Sequence, residues 1–228
     1  MIGIIAAMNT EAALIRDAMD DITEVKKGSV LFTLGKIHNK DVCITVCGVG
    51  KVFAALAAEA MIMAFSPSVI INTGVSGGVG DDVSVLDFVI SEKTVQHDMD
   101  TSPLGDPVGL ISGINKIFFD CDEDAVSLME VSALSVGAVT KRGIIASGDR
   151  FVASTEEKNR IKNTFYASAA DMESAAIGHV CFVNGVPFVA ARCISDSANE
   201  DAKIDFPTLC KMAADVSSRV VIKFISLY

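Results

Sequence analysis

Acidic residues placed just beyond apolar runs are the first chemical signal in this chain. Glu11 follows the run Ile2–Ala7, Glu173 follows Asp171 and Met172, and Asp196 follows Arg192 and Ser195 at the end of another apolar stretch. Taken singly, each has a plain explanation. A carboxylate in the first turn of a helix interacts favourably with the helix dipole, which accounts for Glu11 and Glu173. Taken together they sit at corresponding places, where a strand gives way to a loop or helix. A sheet with helices on its faces gathers such positions into one crevice. Several carboxylates and one arginine in a crevice suit general acid/base work, or cleavage at a sugar carbon.

Other motifs are weaker. Gly48-Val49-Gly50-Lys51 ends like a phosphate loop, but Val52 stands where Ser or Thr is needed and Thr45 where the first glycine belongs. Phe53 occupies the third glycine position of a dinucleotide fingerprint. The run Gly74-Val75-Ser76-Gly77-Gly78 reads equally as a tight turn or as a close backbone approach to a ligand. His97-Asp98-x-Asp100 lacks a full cation ligand set, and a solvated loop is the stronger reading. Ser195 has no nucleophile elbow around it. No metal site is expected.

The elements that position these residues alternate. Apolar runs predict strands at Ile2–Ala7, Val30–Leu34, Val42–Val46, Ser68–Thr73, Asp87–Ser91, Gly143–Ala146, Ala167–Asp171 and Pro187–Arg192. Helical spacing predicts helices from Thr10 to Met19, through the Ala-rich stretch to Phe65, and over Glu123–Leu134, Thr155–Asn163 and Glu173–Val183. A last amphipathic helix carries Leu209, Met212, Val216, Val220 and Phe224. The longest irregular segment is expected from His97 to Ser112. No linker or repeat interrupts the 228 residues, so one α/β domain over 1–228 is expected, a twisted mixed sheet flanked by helices.

Composition narrows the function classes. The net charge of −10 and the lack of a basic cluster argue against nucleic acid as partner. Half the residues are hydrophobic, which argues against disorder, yet the Val52–Phe65 stretch is short and broken by Glu59, so no membrane span is expected. The N-terminus lacks the basic start of a secretory signal. Six scattered cysteines without a CxxC pair read as buried thiols in a reducing cytoplasm.

Six segments in order, IGIIAAMNTE, GVGKVFAA, INTGVSGG, ASGDRFV, DMESAAIGHVC and RCISDSAN, span most of the chain. Together they resemble the 5′-methylthioadenosine/S-adenosylhomocysteine nucleosidases of the nucleoside phosphorylase superfamily. The resemblance implies a homodimer that hydrolyses the bond between adenine and ribose, acting on methylthioadenosine, S-adenosylhomocysteine and 5′-deoxyadenosine-like nucleosides without metal or cofactor. It assigns Asp196 as the acid that protonates adenine N7, oriented by Ser195, and Glu11 as the carboxylate that activates water. Glu173 would grip the ribose hydroxyls, and Arg192 would support the carboxylates and water. Phe151 would stack on adenine and the Val152 backbone bond its edge. Met8 and Met172 would line the ribose, and Phe206 would cover purine and sugar. Two positions depart from the family pattern. Val75 stands where many members carry serine, with Ser76 following, and Leu104 stands where an aromatic residue from the partner subunit's loop is common. Two other readings remain open at this point, a phosphorolytic purine nucleoside phosphorylase and a silent nucleoside-binding protein.

Overall fold

A computed structural model describes residues 1–199 and 206–228, the side chains of 206 and 207 excepted. The chain opens with β1 (Ile2–Ala6), every residue of which is buried because sheet and helices cover both its faces. Helix α1 (Asn9–Asp17) follows, then β2 (Asp20–Lys27), β3 (Val30–Ile37) and β4 (Lys40–Val46). His38 and Asn39 both take positive φ, the turn that joins a tight antiparallel pair without splaying it. Helix α2 (Lys51–Phe65) ends at Ser66 in the left-handed region, with Pro67 next. Beyond it run β5 (Val69–Gly78), β6 (Phe88–Gln96), the short β7 (Phe118–Asp120) and α3 (Glu123–Ser135). The remaining elements are β8 (Thr140–Ser147), α4 (Thr155–Phe165), β9 (Ala167–Asp171), α5 (Ser174–Asn184), β10 (Phe188–Asp196) and α6 (Phe206–Leu227).

Among the described residues all ten strands join one mixed sheet. β5 organises it. Its first half pairs parallel with β1, its last two residues pair antiparallel with Ala169 and Ala170 of β9, and its other edge pairs parallel with β10. β10 also pairs with β6, β6 with β8, and β8 with β9, so β5, β10, β6, β8 and β9 close into a ring. From this ring β1, β4, β3 and β2 extend as an open wing.

Three apolar clusters hold helices to the sheet. Residues such as Ile4, Ile71, Val126, Val220 and Phe224 bury α1, α3 and α6 on one side. Ala54, Ala57, Met61, Ile177 and Cys181 bury α2 and α5 on the other. Ile161 and Phe165 of α4 pack against Val79, Val95 and Ala146. The α/β class and the mixed sheet agree with the sequence reading. Two expectations change: the glycine run 74–78 is strand rather than loop, and Ser195 and Asp196 belong to β10 rather than to the loop after it.

Candidate active site

The site forms where β1, β5, β9 and β10 end, around a cavity of about 250 Å³. Glu11, Asp171, Glu173, Ser195 and Asp196 line it together with Ala7, Met8, Val49, Val75, Ser76, Gly77, Arg150, Phe151, Val152, Ala170 and Met172.

Glu11 sits in the first turn of α1 and is buried. Its Oε2 accepts from the backbone N–H groups of Ala7 and Met8, each at 2.9 Å, and Oε1 accepts from Val75 N–H at 2.9 Å. The Met8 N–H is the capping-box donor at the N-cap of α1 and the Ala7 N–H precedes it, so the carboxylate caps its own helix while reaching across to β5. Burial pushes its pKa up, opposed by Arg192 and by those three N–H groups. The close approach fixes residue 74 as glycine. At φ 148°, a Cβ there would collide with the Glu11 carboxylate and come within 2.5 Å of Arg192 Nη1. Neither reading of the glycine run holds as stated at Gly74: the segment is strand rather than a tight turn, and the close approach is to the protein's own carboxylate rather than to a ligand.

Arg192 is fully buried beneath the cavity floor. Its Nη2 lies 2.6 Å from Asn72 Oδ1, 2.9 Å from Asp171 Oδ2 and 3.3 Å from Glu173 Oε2. Nη1 lies 3.9 Å from Glu11 Oε1, and Nε donates to Ser174 Oγ at 3.3 Å. Burial alone would lower its pKa, but Asp171, Glu173 and Glu11 outweigh that and raise it. One cation thus stands among three buried carboxylates.

Glu173 stands at the N-cap position of α5, two residues after the end of β9. Its Oε1 accepts from Gly50 N–H at 2.9 Å, which gives the Gly48–Lys51 turn its purpose: a backbone donor to a carboxylate rather than a phosphate cradle. Burial first, then its acidic neighbours, push its pKa up to about 7, against the pull of Arg192. At the far wall, Asp196 Oδ1 accepts from Ala198 N–H at 2.8 Å and Oδ2 accepts from Ser195 Oγ at 2.9 Å. Burial is the main cause of its raised pKa, with these bonds pulling the other way.

The sequence reading missed the scaffold under these groups. Asp171 accepts from Ser147 Oγ, Ser174 Oγ and the Ser174 N–H, and Ser174 Oγ also lies 2.8 Å from Asn72 Oδ1. Small polar residues in or beside apolar runs, here Asn72 within β5, Ser147 at the end of β8 and Ser174 at the start of α5, were the available signal. A second tie joins two loops: Asp149 Oδ1 accepts from Lys51 N–H at 2.7 Å, capping α2, while Lys51 Nζ pairs with Asp98 at 2.6 Å. That pairing occupies Asp98, and His97 is buried rather than solvated. Among the described residues no cluster of His, Cys, Asp and Glu could hold a metal ion.

The structure brings Met8, Glu11, Phe151, Val152, Met172, Glu173, Ser195 and Asp196 to one cavity with Arg192 beneath them. Phe151 stands at its rim, 44% exposed. Leu104 lies apart on a short turn, 84% exposed, and does not line this cavity. The side chain of Phe206 lies outside the described residues.

The Phosphorylase superfamily model matches residues 1–226. The 5′-methylthioadenosine/S-adenosylhomocysteine nucleosidase of Actinobacillus succinogenes is 39% identical over 222 residues, covering 97% of this chain and 96% of that protein. The chain belongs to the methylthioadenosine/S-adenosylhomocysteine nucleosidase family. A nucleosidase of the same name from Neisseria meningitidis, solved in complex with methylthio-immucillin-A, superposes with a TM-score of 0.96 at 34% identity, covering 100% of this chain and 99% of that one. The fold is shared beyond nucleosidases so named: futalosine hydrolase of Helicobacter pylori superposes with a TM-score of 0.95 at 33% identity, covering 100% and 97% of the two chains. The family resemblance carried by the six segments and the fold it implied both hold.

Proposed function

We infer that this nucleosidase hydrolyses the N-glycosidic bond of 5′-methylthioadenosine and S-adenosylhomocysteine, with 5′-deoxyadenosine in the same substrate class. Adenine and the thioribose are released, which removes by-products of S-adenosylmethionine and feeds methionine salvage. The observation that carries the reading is the opposed pair of carboxylates across one cavity. Burial raises the pKa of both: at Glu11 three N–H donors and Arg192 work against it, and at Asp196 the raised pKa lets the carboxyl hold a proton.

In this reading Asp196 donates its proton to adenine N7, and the base departs neutral rather than as an anion. Ser195 holds the carboxyl in place. As the C1′–N9 bond breaks, the sugar becomes cation-like and the surrounding carboxylates stabilise it. Glu11 takes a proton from the attacking water as the new C1′–O bond forms, and solvent returns both acids to their starting states. Glu173 accepts from the ribose hydroxyls. Arg192 keeps Glu173 and Asp171 fixed. Phe151 stacks on the purine, the Val152 backbone bonds its edge, and Met8 and Met172 pack against the sugar.

The protein pairs as a homodimer in the cytoplasm. Val52, Phe53, Leu56 and Met63 leave an exposed apolar face on α2, and C2 pairing is the commonest way to cover one. The partner subunit's Leu104 would then reach the 5′-substituent end. No described helix is long and apolar enough to cross a membrane.

Phosphorolysis fits less well. It needs free cationic or N–H groups beneath C1′, whereas Arg192 is already occupied by Asn72, Asp171 and Glu173 and stands behind carboxylates that repel phosphate. Incubation with methylthioadenosine in phosphate-free buffer should yield adenine and free methylthioribose. A strict phosphate requirement, with a ribose-1-phosphate product, would overturn the hydrolytic reading.

A further inference from the structure

The Gly48–Lys51 turn is the motif that the assigned roles leave half explained. A phosphate loop aims its backbone N–H groups and its lysine at phosphate. Here the same donors are aimed at three carboxylates of the protein itself. Gly50 N–H donates to Glu173 Oε1 at 2.9 Å, Lys51 N–H to Asp149 Oδ1 at 2.7 Å, and Lys51 Nζ to Asp98 Oδ1 at 2.6 Å.

These bonds close a ring. Asp98 Oδ2 accepts from Asp149 N–H at 2.9 Å, so Lys51 reaches Asp98, Asp98 reaches Asp149, and Asp149 returns to the Lys51 backbone. The three residues follow β4, β6 and β8, so the ring ties three strand ends together. Lys51 Nζ also donates to Gln96 Oε1 at 3.2 Å, which leaves the Gln96 amide N–H to face His179 Nδ1 on α5 at 3.3 Å. The Lys51 and Asp98 side chains are only 18% and 30% exposed, so solvent screens the pair weakly. The ring reaches the cavity through the residue before Lys51. Gly50 sits at φ 104°, and a Cβ there would come within 3.0 Å of Asp149 Oδ1, so this peptide is pressed onto the carboxylate that anchors it. The two oxygens of Glu173 are thus set by different devices: Arg192 stands 3.3 Å from Oε2, and the anchored turn holds Oε1.

We propose that Lys51 is a positioning residue for the reaction: anchored on Asp98, it keeps the Gly50 N–H on Glu173 Oε1 and so aims that carboxylate at the ribose hydroxyls. Lys51 does not itself line the cavity. The inference rests on the nucleosidase reading above, which places the ribose at Glu173.

The test uses Lys51→Met, which keeps the stem and loses the ammonium, Asp98→Ala, the double variant, and Lys51→Arg, which keeps the charge. Each is followed by adenine release from methylthioadenosine and by melting against pH, with and without Glu173→Gln. kcat/KM should fall roughly tenfold in Lys51→Met and in Asp98→Ala, and no further in the double variant, since both break one ring. Lys51→Arg should stay within about threefold of the parent. The melting readout reports on Glu173 directly. Burial raises its pKa most; Arg192 on β10, Asp171 on β9, Glu11 on α1 and the Cys47 thiol after β4 are the titratable groups that bear on it, and the Gly50 N–H pulls its pKa down. The Glu173 contribution to stability is lost as pH rises to about 7 in the parent. Loosening the Gly50 N–H should move that upper end higher, by about one pH unit, in both Lys51→Met and Asp98→Ala. Charge alone would move it in opposite directions, up when a cation is removed and down when an anion is. Opposite movements would overturn the proposal and leave the nucleosidase reading intact. So would an unchanged kcat/KM in Lys51→Met, losses that add in the double variant, or lower melting with no movement along the pH axis, the mark of a merely structural tie. A parent that releases no adenine fails at the earlier step and overturns both.

Discussion

Replacing Asp196 by Asn separates shape from proton supply at the proposed acid. The two side chains are nearly isosteric. The Asn carbonyl can keep the 2.8 Å bond from Ala198 N–H, and its amide can donate to Ser195 Oγ, whose own proton then turns to the Ser76 carbonyl 3.3 Å away. Every buried polar atom stays paired, so unfolding free energy should change by less than about 1 kcal/mol. The chemical step should not survive as well. Without a transferable proton the base must leave as an anion, and loss of a positioned general acid costs about 10²–10⁴-fold. The pH profile adds a second signature. Burial raises the Asp196 pKa, which extends the proton-loaded form to higher pH. Above that raised value the parent should lose about tenfold in kcat/KM per pH unit, and Asp196→Asn should lack this alkaline limb. Single-turnover adenine release across pH, with an analogue-binding measurement, would decide the matter. A variant within about threefold of the parent, or one that keeps the alkaline limb, would refute the assignment.

Glu173 should leave a mark on stability. Its folded pKa is pushed from 4.5 up to about 7, so its contribution to stability is full below the unfolded value and lost as pH rises through about 7. Melting of the ligand-free parent should fall over that window by on the order of 5 °C more than melting of Glu173→Gln, as scanning calorimetry at several pH values would show. Gly74→Ala puts a methyl group against Glu11 and within 2.5 Å of Arg192 at a φ that glycine alone tolerates well; kcat/KM should fall by about 10²-fold or more, and an active variant would show that the carboxylate can move without penalty. Phe53→Asp, at an exposed apolar position on α2, should shift the protein to monomer in sedimentation at micromolar concentration, and an unchanged dimer would place the interface elsewhere.

Much of this architecture was legible because burial writes period and punctuation into the chain. β9 was read at its observed bounds, since the apolar run Ala167–Asp171 is flanked by residues that stop it. β2 was not read at all: its sequence DDITEVKK carries charges on both faces, as suits an exposed edge strand that must not recruit another chain. The glycine run 74–78 misled because glycine signals a turn by default, whereas here it lets Glu11 and Asp196 approach a strand that continues through. The acidic site residues were visible from their positions at strand ends. Their supports were not, because Asn72, Ser147 and Ser174 look like ordinary small polar residues until the fold sets them beside Arg192 and Asp171. Ring closure was also hidden, since pairing between β5 and β9 involves only two residues on each strand.

β10 is the last strand among the described residues, and it is also the one that joins β5 to β6. During synthesis the earlier strands must wait for it with two edges unsatisfied, the kind of surface that pairs wrongly or aggregates. The wait has an electrostatic side. Until Arg192 arrives, Glu11, Asp171 and Glu173 have no counter-charge, so bringing them together is opposed and the pocket has no reason to form early. Arrival of β10 supplies the counter-charge, the proposed acid Asp196 and the missing sheet pairing in a single docking event. Counter-charge and sheet closure thus arrive together, with α6 still to dock against β5, β10 and α1.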